Sequence, residues 1–385
     1  MLRALNERAA LYALLRHGAM SRVELDRAIG LSKPAAAELL RRLEKAGLVR
    51  RDGFQTVRGP GPQAQLWTVS VGAGYAAGVD ITANAVNVAI ADLGGAIVGE
   101  AKSSTRGVDP IAAVRNAVQR AVRAGGRQLS DVVHTVAGIT GSVDPVTGFL
   151  EYAAHMPRWH GFDVRQRLTE ALGNPVTVEN DVNLVTVDEI AGGRGKGYRN
   201  VVLLWMSRGV AVASIVDGRL VRGSRGGAGE IDRVRIDGTE IRELLSNRAV
   251  LALARKYDVS GASIGAAVRR GMTTSGEFVA ELTERIVTAL SNSVALLDPE
   301  LIILAGDVAL AADRELASSV GERLHELLAH RPEVAIASGS ANSVRQGALH
   351  AAVGAAREKV LGRGVGETAD LESWLLPQIH NHKEN

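Results

Sequence analysis

The chain has 385 residues, 46% hydrophobic and 23% charged, a balance that builds a sizeable core and excludes a mainly disordered polymer. It has no cysteine and only 3% aromatics, which excludes disulfides, thiolate nucleophiles and Cys-based zinc or iron–sulfur sites, and argues against stacking platforms for single-stranded nucleic acid. The net charge of +3 hides an asymmetry: residues 1–70 hold 12 Lys and Arg against 6 Asp and Glu, whereas the remainder is slightly acidic, so a small polyanion-binding head on a larger body is expected.

Residues 3–17 place Leu5, Ala9, Tyr12 and Ala13 at helical spacing before Gly18. The stretch is charged throughout and lacks the apolar run of a signal peptide, so a cytoplasmic protein is expected. Ser21-Arg22-Val23-Glu24 predicts a capping box and a second helix that ends at Gly30, with Leu25, Ala28 and Ile29 facing inward. Ser32 is placed to cap a third helix, with Pro34 in its first turn and Ala36, Leu39, Leu40 and Leu43 as its core stripe. Two short helices across a tight turn predict a helix-turn-helix, whose second helix enters the DNA major groove by its N-terminal end. The residues placed to meet DNA there are Ser32, Lys33, Ala35, Ala37, Glu38, Arg41, Arg42 and Lys45. The alanines permit close approach and contact with a thymine methyl.

Leu48 to Arg51 reads as a strand, Asp52-Gly53 as a turn, Phe54 to Arg58 as the returning strand, and Leu66 to Val69 as a third. The whole of 1–70 therefore predicts a winged helix-turn-helix, with Arg50, Arg51 and Arg58 as contacts to double-stranded DNA phosphates. The plain alternative is a three-helix bundle with a charged face; the order of caps, turns and basic hairpin favours DNA binding. Gly59-Pro60-Gly61-Pro62-Gln63 reads as a spacer between head and body rather than a groove-reaching loop, because it carries no Arg of its own.

Beyond residue 70 the pattern becomes α/β. Strands are predicted at 78–81, 85–91, 96–101, 132–138 and 176–179, with helices at 109–124 and 181–191. A second round follows, with strands at 200–205, 210–216, 219–222 and 301–305 and helices at 239–246, 249–256 and 276–297. The most apolar run, Val201 to Val216, carries Arg208 at its middle, so no membrane span or membrane partner is expected. Two meanders, each followed by helix–strand alternation, predict two lobes facing a cleft, over 71–190 and 191–360. Residues 361–385 form a polar tail whose one apolar spot is Trp374-Leu375-Leu376, packed as a short helix or mobile.

Five ordered stretches carry a family resemblance: His155 to Val164 (HMPRWHGFDV), Val178 to Asn183 (VENDVN), Gly226 to Asp232 (GGAGEID), Ala295 to Gly306 (ALLDPELIILAG) and Arg345 to Val353 (RQGALHAAV). On these the chain resembles the ROK family (repressor, open reading frame, kinase), in its sugar-responsive repressor branch. The resemblance implies a two-lobed actin/hexokinase-like, RNase-H-like fold whose C-terminal helix returns to lobe 1. It also implies a homodimer or homotetramer that sets two heads on a two-fold operator.

The resemblance further implies where chemistry survives. Family kinases seat a nucleotide on Gly-rich turns, where bare backbone N–H groups approach phosphate. The three corresponding turns are 80–84 (Asp80-Ile81-Thr82-Ala83-Asn84), 207–211 (Ser207-Arg208-Gly209-Val210-Ala211) and 305–308 (Ala305-Gly306-Asp307-Val308). They have lost most of their glycines, and Asp307 repels phosphate, so no kinase activity and no cofactor are expected. Asn180, Asp181 and Glu230 keep the sugar-binding positions. The family His is replaced by Arg233, the zinc segment is missing, and a sugar-contacting Glu becomes Arg242, so no metal is expected; His134, His155 and His160 read as ordinary polar residues. Two arginines in the cleft leave open a sugar, amino-sugar or sugar-phosphate effector. Internal pairing of Arg233 with Asp232 or Asp237, and of Arg242 with Glu230 or Glu243, in a cleft that senses nothing, is also open. Activation rather than repression stays open as well.

Overall fold

The computed structural model describes residues 2–55, 63–152, 156–159, 161–329, 331–339 and 342–361. Three helices, Leu2–His17, Arg22–Ile29 and Lys33–Lys45, pack against a small sheet in which Gln65–Val69 lies between Met20–Ser21 and Val49–Phe54. The capping box at Ser21 and Glu24 forms as predicted, and Gly30 closes the second helix in the left-handed region at φ 68°. The third helix buries the predicted stripe of Ala36, Leu39, Leu40 and Leu43. The inner face of the first helix is rotated from the expected one: Ala10, Leu11 and Leu14 are buried, while Leu5 is 48% exposed. Ala28 is likewise exposed, and Asp26 takes the buried place on the second helix.

The wing differs from the sequence reading. Asp52-Gly53 is not its turn; both residues lie inside the strand Val49–Phe54, where Gly53 at φ 78° absorbs a register shift. The partner strand is Gln65–Val69, and the Gln55 N–H donates to the Ala64 carbonyl at 2.8 Å. The Gly-Pro segment therefore joins two paired strands of the head and is not a spacer between head and body. Residues 56–62, including Arg58, lie outside the described residues, as do His155, His160 and residues 362–385 of the tail.

Each lobe is a five-stranded sheet of one topology. In lobe 1, Tyr75–Ile81, Ala85–Asp92 and Ile97–Ser104 form an antiparallel meander, and Val132–Ile139 and Val176–Asn180 add in parallel on the other side of the first strand. In lobe 2, Val201–Met206, Val210–Val216 and Arg219–Leu220 repeat the meander, and Leu301–Ala305 and Glu333–Ile336 repeat the parallel additions. All five residues of Leu301–Ala305 are buried, as expected of a parallel strand covered on both faces. The helix Ile264–Thr274 escapes the sequence reading because its two glycines and threonines blur the helical signal; Gly271 lets the Phe278 ring lie against its backbone.

The helix Asp181–Gly192 is buried nearly all round, Asn183, Thr186 and Glu189 included, because it is wedged between the lobes. Leu184 packs into the lobe 1 core, and Val182, Val185 and Ile190 pack against lobe 2 strands. The C-terminal helix Ser343–Leu361 returns to lobe 1, lying across its sheet and against Asp181–Gly192.

Candidate functional site

The first candidate surface is the third helix of the head. Ser32 holds its N-cap position but makes no cap bond with its side chain, and it is exposed together with Lys33 and Ala35. Ala37 is half-buried. Arg41 is exposed and held by two bonds to Glu38, at 2.8 and 3.0 Å. Arg42 does not project outward as expected. Its Nε bonds Glu7 at 2.9 Å, and Glu38 lies 3.5 Å away, so it clamps the third helix to the first. On the wing, Arg50 pairs with Asp52 at 2.9 Å; Arg51 pairs with Glu44 at 3.1 Å and lies over the Trp67 ring. Exposed pairs of this kind are worth ~0–1 kcal/mol, so a DNA phosphate can replace the carboxylate at little cost. Among the described residues Lys33 and Lys45 have no carboxylate partner.

The second candidate is the mouth of the cleft. Strand Val176–Asn180 runs directly into helix Asp181–Gly192, and Asn180 caps that helix by accepting from the Val182 and Asn183 N–H groups at 2.8 and 3.1 Å. Its Nδ2 donates to the Gly141 carbonyl at 3.1 Å and to Glu230 at 3.4 Å. Asp181 accepts the Thr140 hydroxyl at 2.6 Å. Burial raises Asp181 to about 6, against the lowering effect of Thr140, and the neighbouring Asp80 raises it further. Burial likewise raises Glu230 to about 6, with Asp181 and Asp232 adding to the effect. Asp80 and Asn87 sit opposite each other on adjacent strands, and Asn87 donates to Asp80 at 2.9 Å. Burial raises Asp80 too, in opposition to Asn87, Arg345 and Lys102.

Glu230 reaches this cluster because of the glycine loop before it. A side chain at Gly226 (φ 73°) would overlap the Val143 carbonyl of lobe 1, and one at Gly229 (φ 85°) the Val212 carbonyl of lobe 2. The loop thus lies flat against both lobes. Arg222 ties its start to buried Glu179 at 2.6 Å.

The two cleft arginines do not join the cluster as expected. Arg242 pairs with Glu240 at 2.7 Å, not with Glu230 or Glu243, at the small hairpin of Arg235–Ile236 and Thr239–Glu240. Arg233 is exposed, and neither arginine is among the charges that act on Glu230. His134 bonds Thr177 at 2.9 Å across two strands, and burial lowers it to about 4. Among the described residues no group of three or more His, Asp and Glu is placed to hold a metal ion. Sequence reasoning missed Thr140 and Asn87, which carry no motif; Asn87 becomes visible through the sheet register and Thr140 through its bond to Asp181 just past a strand end.

At the turns that the resemblance aligns with phosphate sites, the protein's own side chains make the bonds. The Thr82 hydroxyl closes the first turn, donating to the Ala85 carbonyl at 2.9 Å while accepting the Ala85 N–H at 3.0 Å. At the N-terminus of helix Gly306–Leu327, Asp307 accepts Ser207 Oγ at 2.6 Å and Asn247 Nδ2 at 2.8 Å. A carboxylate thus holds the helix-end position that favours an anion.

A winged helix-turn-helix head on a body of two matching α/β lobes defines a DNA-binding transcriptional regulator. The chain belongs to the ROK family, which matches residues 76–357, and the MarR family matches residues 5–52 of the head. It is 20% identical to the xylose repressor of Caldicellulosiruptor bescii over 87% of this chain and 90% of that protein. It is 25% identical to the glucokinase of Halalkalibacterium halodurans over 61% and 81%. The crystal structure of a ROK family transcriptional regulator, a homolog of the E. coli MLC protein, superimposes with a TM-score of 0.72 at 17% identity, covering 98% and 99% of the two chains. No helix among the described residues is long and apolar enough to cross a membrane.

Proposed function

We propose that the protein is a cytoplasmic repressor of sugar uptake or metabolism genes. It binds a two-fold operator as a homo-oligomer and leaves it when a sugar fills the cleft. The observation that carries the ligand class is the group of acids at the cleft mouth: burial raises both Asp181 and Glu230, and among the described residues no cation acts on Glu230. Such a site accepts sugar hydroxyls as hydrogen-bond donors and repels a phosphate, so neutral and amino sugars are favoured over sugar phosphates. Release requires that the sugar bind the off-DNA arrangement of the lobes better than the on-DNA one. The protein is not a kinase on this reading, since Asp307 occupies the helix end a phosphate would need.

The test titrates the protein onto the DNA upstream of its own gene with neutral, amino and phosphorylated sugars. Release by a neutral or amino sugar, lost in Asp181→Ala, is expected. Release by phosphorylated sugars alone would overturn the ligand class. Binding that no sugar alters would favour a ligand-independent regulator, and sugar-dependent consumption of ATP would restore the kinase reading.

A further inference from the structure

The C-terminal helix Ser343–Leu361 packs against the cleft helix Asp181–Gly192 and reaches the first helix of the head. At about 1.5 Å per residue its 19 residues span ~28 Å. Its first turn carries Arg345, which bonds Glu100 at 2.7 Å and acts electrostatically on Asp80, beside Asp181. Its middle is held to lobe 1 by two close backbone approaches. A side chain at Gly78 would meet the Leu349 and Arg345 backbone, and one at Gly347 would overlap the carbonyl of Leu184 on the cleft helix. The helix therefore cannot slide without moving the strand that bears Asp80 and the helix that bears Asp181.

The last turn meets the head. Arg8 Nη2 bonds Glu358 at 2.9 Å, with Glu358 only 14% exposed, and the Arg8 guanidinium lies over the Tyr12 ring. Val360 packs against the head core and the lobe 1 core together. One residue before Glu358, Arg357 donates to the Leu93 carbonyl of lobe 1 at 2.6 Å. An ion pair so placed fixes an orientation more than it adds stability, because partial burial removes competing water partners.

We propose that this helix sets the orientation of the DNA-binding head on lobe 1, with Arg8 and Glu358 as its latch and Val360 as its apolar seat. Movement of lobe 1 is then carried to the third helix of the head as a rigid rotation. The proposal rests on the DNA-binding reading of the head and needs no effector, so its test is independent of which sugar, or whether any, fills the cleft.

The chain has no natural cysteine, so two spin labels can be placed on exposed sites, Lys45→Cys in the head and Arg115→Cys on lobe 1. The full-length labelled protein is diluted into unlabelled protein, and the distance distribution within one chain is measured by pulsed electron resonance. A narrow distribution is expected for the parent, a broad one for Arg8→Glu, and a narrow one again for Arg8→Glu combined with Glu358→Arg. A narrow distribution in the single variant, or a broad one in the double reversal, would overturn the latch. Affinity for genomic fragments selected with the parent protein should fall about tenfold in Arg8→Glu, since a freed head pays ordering entropy on binding, and should return within about threefold in the double reversal. Loss of affinity that the reversal leaves unrepaired would assign Arg8 to DNA itself and reject the latch.

Discussion

The head and the cleft handle charge in opposite ways. In the head, Arg41, Arg42, Arg50 and Arg51 each rest on a carboxylate within 3.1 Å. In the cleft, Asp80 acts on Asp181 and Asp181 on Glu230, and among the described residues no cation acts on Glu230. The difference follows from solvent. Surface pairs lose little when they form or open, so the head can exchange its own carboxylates for DNA phosphates. Buried carboxylates held only by neutral hydrogen-bond donors cost stability when ionised, and such a cost is concentrated at functional sites.

The largest effect that would break this comparison is in the cleft. Asp181→Asn should stabilise the ligand-free protein at pH 7.5 by about 1–2 kcal/mol, because the raised Asp181 is worth roughly 1.4 kcal/mol per unit when its charge is removed, less the acceptor lost to the Thr140 hydroxyl. Urea unfolding checks it, and a destabilised variant would mean that Asp181 is compensated after all. The sign also fixes a pH window. Asp181 titrates at 3.8 when unconstrained and at about 6 here, so the folded chain binds more protons between those values. Its contribution to stability therefore falls as pH rises from about 4 to 6 and stays low above that. The stability difference between Asp181→Asn and the parent should open across this window and close below pH 4.

Smaller effects sharpen the head. Lys33→Ala should lower the slope of log affinity against log salt by about 0.9, the signature of one lost phosphate contact. Arg42→Ala should leave that slope unchanged and lower head stability instead, because its guanidinium faces Glu7. A slope change in Arg42→Ala would show that the clamp opens on DNA. The smallest expected effect is that of Glu38→Gln, which should leave the thermal unfolding midpoint unchanged, as for an exposed pair.

Local signals carried most of the fold. The capping box at Ser21, the stripe of Ala36, Leu39, Leu40 and Leu43, and the doubled strand meander are all short-range patterns, and each forms close to its predicted position. The wing was misread because Asp52-Gly53 has turn chemistry, yet pairing with Gln65–Val69 absorbs it as an irregularity in a longer strand. In the site, Asn180, Asp181 and Glu230 were legible by motif. Thr140 was not, since one threonine at a strand end has no pattern.

By itself the sequence determined the order of parts: a basic winged head and two lobes of one plan. These depend on spacing, capping and composition, which act over a few residues. Tertiary structure alone decided which charges meet. Arg42 turned to Glu7, Arg242 to Glu240, and Glu358 crossed 350 positions to reach Arg8. A long charged side chain has several partners within reach along the chain, and only the packing of distant elements selects one.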